Sequence, residues 1–202
     1  MSAISKQYMT EAEYLALERD SEIKHEYYHG EIFAMSGASR KHNLITANTI
    51  GIFHNQLRKN PCELYASDMR IRVSSTGLYT YPDISVACGE VEIISDELDT
   101  LLNPTLIVEV LSPSTESYDR GTKFQHYRTL DSLQEYVLIS QDSARIESFT
   151  RQPGGTWVLR EAVGLEAAID LTSIQCTLAL ADVYEKITLP DEPMLPPPPS
   201  NG

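Results

Sequence analysis

Pro104-Thr105-Leu106-Ile107-Val108-Glu109-Val110-Leu111 is an apolar run with one carboxylate inside it. The proline sits where a strand tolerates it, at the opening, and the near-continuous apolar character predicts a strand from Thr105 to Leu111 in the middle of a sheet. Upstream, Tyr81-Pro82-Asp83-Ile84-Ser85-Val86-Ala87-Cys88 repeats the pattern and predicts a second central strand from Asp83 to Cys88. Each strand therefore carries one acid where an unpartnered charge is costly. Two partners would relieve that cost. Asp83 and Glu109 on neighbouring strands can share a hard divalent cation through oxygen ligands, or each can pair with an arginine such as Arg70 or Arg72.

Outward from these strands the periodicity changes. Downstream, Ser117 to Leu130 reads as a helix carrying Phe124, Tyr127 and Leu130, and Glu135 to Ser140 as another strand. Arg145 to Thr150 and Thr156 to Glu161 flank Gln152-Pro153-Gly154-Gly155 as a hairpin, and Leu180 to Ile187 reads as a closing helix. Upstream, Asp68 to Val73 alternates strictly, which puts Met69, Ile71 and Val73 on a core face and Asp68, Arg70 and Arg72 on a polar one. The apolar residues Ile45, Ile52, Phe53 and Leu57 predict a helix from Lys41 to Lys59, stopped by Pro61. His25–Tyr28 and Glu31–Met35 are β-favouring runs around a His29-Gly30 turn, and Thr10 with Glu13 forms a capping box that opens a helix from Glu11 to Arg19.

This order of elements is a mixed-sheet α/β (α+β) fold, with a helix and hairpin before the core and a β-hairpin and helix after it. A length of 202 residues suits one domain, residues 1–189, with a proline-rich tail at 190–202 that reads as an extended, mobile end. The formal net charge of −13 excludes a generic polyanion-coating protein, though not a local basic groove. Cys62, Cys88 and Cys176 show neither zinc-ligand nor redox spacing and read as free thiols of a cytoplasmic protein. No export signal and no membrane-spanning run is visible.

Lys123 supplies the charge that the two acids lack. It falls on the helix after the Glu109 strand, with Tyr127 one turn on along the same face. Lowered over the sheet, its ammonium would steady an attacking water or the charge developing on a phosphate. Solvation is the commoner fate of a lysine, so its company is what singles it out. His42, at the start of the long helix, is placed to orient a water or a phosphate near the acids. Glu26 and Glu31, flanking the hairpin, are weaker candidates and read as surface carboxylates. Arg70, Arg72 and Arg120 are candidates for phosphate contacts, with pairing to acids as the alternative.

His25-Glu26-Tyr27-Tyr28-His29 matches the His-Glu-x-x-His pattern of zinc peptidases, which requires a helix. On a strand the two histidines would stand about 13 Å apart, too far to share a metal. The match is assigned to chance.

Together, Tyr81-Pro82-Asp83-Ile84-Ser85-Val86, the segment Ile107-Val108-Glu109-Val110-Leu111-Ser112-Pro113-Ser114-Thr115, then Asp119, Lys123 and Tyr127, resemble the Uma-type restriction endonucleases of the PD-(D/E)XK nuclease superfamily. The Glu26, Gly30, Glu31 and His42 pattern belongs to the same resemblance, which runs from about Thr10 to Ile187. It implies a restriction-endonuclease-like core and hydrolysis of phosphodiester bonds, DNA before RNA. The implied cofactor is Mg²⁺ or Mn²⁺ on Asp83 and Glu109. The superfamily lysine stands two residues after the acid; Leu111 occupies that place here, so the resemblance requires Lys123 to reach in from the helix. Arg70, Arg72, Arg120, Lys123 and Tyr127 would surround the substrate, and a homodimer would supply two centres for two strands. On an acidic chain, substrate binding is expected to be weak without metal and shallow in its salt dependence. A catalytically inactive nucleic-acid- or protein-binding module on the same fold is the rival reading.

Overall fold

Thr10 caps the first helix as its spacing predicts: its hydroxyl accepts from the Glu13 N–H at 3.2 Å and the Glu13 carboxylate accepts from the Thr10 N–H at 2.7 Å. The structure, a computed structural model, describes residues 8–94 and 99–190. Helix α1 is Glu11–Asp20, and the hairpin strands β1 (His25–Tyr28) and β2 (Glu31–Ala34) follow. His29 and Gly30 both have positive φ (48° and 86°), the two-residue turn that suits strand twist. Helix α2, Arg40–Leu57, is capped by the Ser39 hydroxyl and buries Ile45, Thr49, Phe53 and Leu57, one residue every four. Full burial of each large apolar side chain on that face contributes about 1.5–3 kcal/mol.

Strands β3 (Cys62–Ala66), β4 (Arg70–Val73), β5 (Leu78–Thr80), β6 (Ile84–Cys88), β7 (Ile93–Ile94), β8 (Thr100–Leu101) and β9 (Leu106–Val110) come next. Helix α3 (Glu116–Tyr118), a π-helical turn (Asp119–Lys123) and α4 (Phe124–Tyr127) form the crossover to β10 (Glu135–Ile139). The long hairpin β11 (Arg145–Arg151) and β12 (Trp157–Val163), the short pair β13 (Ala168–Leu171) and β14 (Cys176–Ala179), and helix α5 (Leu180–Val183) complete the described chain.

One six-stranded sheet runs β2-β1-β5-β4-β8-β7, a second runs β12-β11-β10-β9-β6-β3, and β13 and β14 pair as a separate two-stranded sheet. In the second, β9 pairs parallel to β10 and antiparallel to β6, so the strand quoted first above is central. Leu106, Val108 and Val110 join Ile45 and Phe53 of α2 in one core, while Ile107 and Leu111 join Tyr127 and Ile71 in another. Burial on both faces is why β9 shows no alternation.

Several expectations change. The helix expected from Ser117 to Leu130 is interrupted by the π-helical turn, and the closing helix is a single turn that ends before Lys186, whose φ is 64°. The alternating face of β4 is not solvated: Arg70 is 1% exposed. Cys62 and Cys88 are joined as a disulfide, leaving Cys176 as a buried thiol among the described residues. Their separation of 26 residues hid the pairing, which arises because the antiparallel β3–β6 register sets them face to face. The thiol-based argument for a cytoplasmic location thereby falls away. No helix of the described residues is long and apolar enough to cross a membrane. The tail expected to be mobile lies almost wholly outside the described residues.

The disulfide has a measurable consequence. Thiol titration of the denatured, non-reduced protein should give one thiol per chain, and Cys62→Ser should lower stability by about 3 kcal/mol through the opened loop. Three thiols in the non-reduced protein would contradict the bond.

Candidate active site

The antiparallel register that pairs Ile84 with Val108 leads Asp83, just before β6, toward Glu109 in β9. Asp83 Oδ2 accepts from the Val110 N–H at 2.7 Å and lies 3.1 Å from His42 Nε2. Glu109, 3% exposed, accepts through Oε1 from Lys123 Nζ at 3.1 Å and from the Tyr127 hydroxyl at 2.9 Å. Lys123 and Tyr127 thus reach one carboxylate oxygen from successive turns, as their spacing predicts. Asp83 Oδ1 and Glu109 Oε2 make no hydrogen bond among the described residues.

The π-helical turn is what delivers the lysine. It begins with Asp119 and ends with Lys123, both buried, and Lys123 Nζ lies 3.4 Å from Asp119 Oδ1. Wider turns of this kind recur at functional sites. Glu26 from β1 completes the cluster at 3.2 Å from the same ammonium, and the Thr80 hydroxyl donates to its Oε1. Burial opposes the charge of Lys123, yet Glu109, Glu26 and Asp119 outweigh it and hold the lysine well above its ordinary pKa. Burial pushes Glu109 up to about 8 against the pull of Lys123, and also raises Asp119. Four carboxylates (Glu26, Asp83, Glu109, Asp119) therefore surround one lysine and one histidine, an excess of negative charge at the cleft floor.

That excess makes pH a probe. Relative to its unfolded value near 4.5, folded Glu109 holds its proton to about 8, so the stability this confers is complete below 4.5 and is lost as pH rises through 8. Glu109→Gln cannot titrate. Without divalent cations its unfolding midpoint should rise relative to the parent protein between about pH 5 and 8, by a few degrees; parallel pH curves would contradict the raised pKa.

The cluster lies in an open cleft of about 870 Å³. The sequence candidates divide sharply around it. Asp83, Glu109, Lys123 and His42 line the cleft together. Tyr127 is fully buried and holds Glu109 from behind, so it does not meet a substrate directly. Arg70, Arg72 and Arg120 are outside the lining and do not form the expected rim. Arg70 packs its guanidinium over Tyr14 and Tyr79 and donates to Thr100. Arg72 pairs with Glu11 at 3.0 Å, and Arg120 with Glu116 and Glu147 at 2.7 and 2.6 Å. The cleft wall is acidic instead: Glu22, Glu26, Asp68, Asp83, Glu109 and Asp119 face Lys24 and Lys123.

Sequence reasoning undervalued Glu26, read as a surface carboxylate, and gave Asp119 no role of its own. Asp119 was legible as an i,i+4 partner of Lys123. Glu26 was not, because its lysine lies 97 positions away. The His-Glu-x-x-His match dissolves in β1: His25 Nδ1 lies 3.0 Å from Glu18, and Glu26 serves the lysine.

Residues 11–181 match the model of the Uma2 family, described as putative restriction endonuclease. The chain belongs to the Uma2 family. Two relatives from Synechocystis sp. (strain ATCC 27184 / PCC 6803 / Kazusa) are the uncharacterized proteins slr1290 and sll1609. The first is 38% identical over 172 residues, 85% of this chain and 89% of the relative. The second is 36% identical over 164 residues, 81% of this chain and 93% of the relative. The fold is shared with a crystal structure described as a putative nuclease belonging to DUF820 from Anabaena variabilis, with TM-score 0.68, 19% identity, and coverage of 86% of this chain and 96% of that one. For this Uma2 chain, then, the family rests on the sequence and the architecture on the structural match.

Proposed function

We propose that the protein is a divalent-metal-dependent nuclease that hydrolyses phosphodiester bonds, DNA in preference to RNA. The convergence of Asp83, Glu109 and Lys123 in one open cleft, in a chain of the Uma2 family, carries this reading. The residues fit Mg²⁺ or Mn²⁺. Such an ion is commonly held by one or two carboxylates with water and substrate phosphate in its other positions, and Asp83 and Glu109 each have one oxygen outside the hydrogen bonds described. Among the described residues no group of three or more His, Cys, Asp or Glu side chains is arranged to hold a metal ion, so an ion here would rest on these two carboxylates, with water and phosphate completing its shell.

Bound there, the ion would supply Lewis-acid stabilisation and a more acidic water. The chain's own residues do the rest. Lys123, fixed from three sides, sets a permanent positive charge against the negative charge that develops on a phosphoryl group. Tyr127 and Lys123 together fix the orientation of Glu109, and His42 and the Val110 N–H fix that of Asp83.

The acidic lining favours one second reading, a non-catalytic binding module. Calorimetry separates the two: a nuclease centre takes up Mg²⁺ or Mn²⁺ and loses that uptake in Glu109→Gln, whereas a module shows neither. Uptake of Zn²⁺ alone would overturn both. A homodimer would place two such centres in one assembly; light scattering showing a monomer that cuts both strands efficiently would remove the dimer.

A further inference from the structure

Phe33 is directly opposite Glu26 in the β1–β2 register. Partners across an antiparallel pair project to the same face, with Cβ atoms about 4.5–5.5 Å apart. Glu26 in turn touches Lys123 at 3.2 Å, so Phe33 stands one side chain away from the lysine of the site. Phe33 is 49% exposed and belongs to none of the hydrophobic clusters formed by the described residues. Ile23, 54% exposed, lines the same cleft, and Ala34 and Met35 extend this wall. Across the cleft floor the lining is hydroxylic, from Ser112, Ser114 and Thr115.

An apolar wall beside a charged catalytic floor has no packing role in this fold. Nor can the cleft gain much affinity from phosphates, since its two lysines are already ion-paired with Asp68 and with the Glu26, Glu109 and Asp119 cluster. Stacking is the other large source of affinity for a polynucleotide, about 1–3 kcal/mol per base on an aromatic ring, and it is indifferent to the protein's charge. A duplex hides its base faces; an unpaired strand displays them.

We infer that Phe33 is a stacking platform for an unpaired nucleobase next to the scissile phosphate, so that the substrate is a single-stranded or locally unpaired polynucleotide. This rests on the nuclease reading for the word scissile, but the stacking itself is testable without cleavage.

Two measurements test it. In steady-state cleavage of a single-stranded oligonucleotide with Mn²⁺, Phe33→Ala should raise KM on the order of 10-fold while kcat changes less, and Phe33→Tyr should restore KM. One abasic nucleotide, scanned along the strand, should cost the parent protein a similar factor at one position, and no further loss should appear when that substrate meets Phe33→Ala. Separately, the fluorescence of F33W should be quenched by single-stranded oligonucleotide in Ca²⁺ and much less by a fully abasic strand or a duplex. Equal KM for Phe33→Ala and the parent, or independent losses from the variant and the abasic site, would overturn the inference and leave the nuclease reading intact. Base-dependent quenching without any cleavage would uphold stacking and sink the nuclease reading. Equal F33W quenching by abasic and intact strands would overturn stacking whatever the activity.

Discussion

Lys123→Ala is expected to lower nuclease activity by about two to three orders of magnitude and to destabilise the protein substantially. Lys123 is the one cation within 4 Å of Glu26, Glu109 and Asp119 among the described residues, and all four groups are buried. Above about pH 8, where Glu109 has given up its proton, removing one partner of a buried ion pair costs about 3–5 kcal/mol, because the opposite charge is left without compensation. For a chain of this length that is a fall of roughly 10 °C in the unfolding midpoint. The loss of transition-state stabilisation should reduce kcat by about 100- to 1,000-fold. A lysine that acted only on charge in the transition state would leave the midpoint nearly unchanged. The burial of three carboxylates around it changes that. Mg²⁺ should raise the midpoint of the variant more than that of the parent, by relieving the same carboxylates. Full activity in the variant, checked by cleavage kinetics, would remove the lysine from the mechanism; an unchanged midpoint would show that the carboxylates do not depend on the lysine for their stability.

Asp83→Asn separates charge from structure. The asparagine side-chain oxygen can still accept from the Val110 N–H, so the start of β6 should hold its place beside β9 and the midpoint should move by no more than a degree or two. The charge is gone, and with it one of the two proposed ligands for a divalent cation. Cleavage should fall by at least about 100-fold, and calorimetric uptake of Mn²⁺ should weaken in parallel. His42→Ala, which removes only the group at 3.1 Å from Asp83, should cost less, on the order of 10- to 100-fold, as expected for a positioning residue. If Asp83→Asn and His42→Ala lose activity equally, Asp83 acts through the histidine rather than through a cation.

Much of the fold was written in local patterns. The capping box, the His29-Gly30 turn and the two proline-opened strands are short-range chemistry, and the structure has each within a residue or two of its expected bounds. What the sequence could not show is long-range. Cys62 and Cys88 look unrelated until β3 is seen to pair with β6, and β3 itself escapes notice because its residues are half-buried without alternation. Arg70 and Arg72 share a polar strand face, which suggested a phosphate rim. In the fold that face meets α1, so Tyr14 and Glu11 take the guanidinium groups. The site was more legible than its surroundings. A lone acid in an apolar strand signals an expensive group that needs company, and Asp83, Glu109 and Lys123 were all found by asking what could accompany it. Glu26 was missed because nothing local marks it as buried. Its neighbours Thr80 and Lys123 come from strands and helices far along the chain.

The central claim is that this acidic cleft hydrolyses phosphodiester bonds with a divalent cation, and one assay meets it directly. Supercoiled plasmid, single-stranded DNA and RNA are incubated with the protein in Mg²⁺, in Mn²⁺ and in a chelator, alongside Glu109→Gln. Cleavage of DNA that needs the metal and disappears in the variant is the predicted result. Intact substrates under every metal condition, or cleavage that persists in Glu109→Gln or in the chelator, would contradict it.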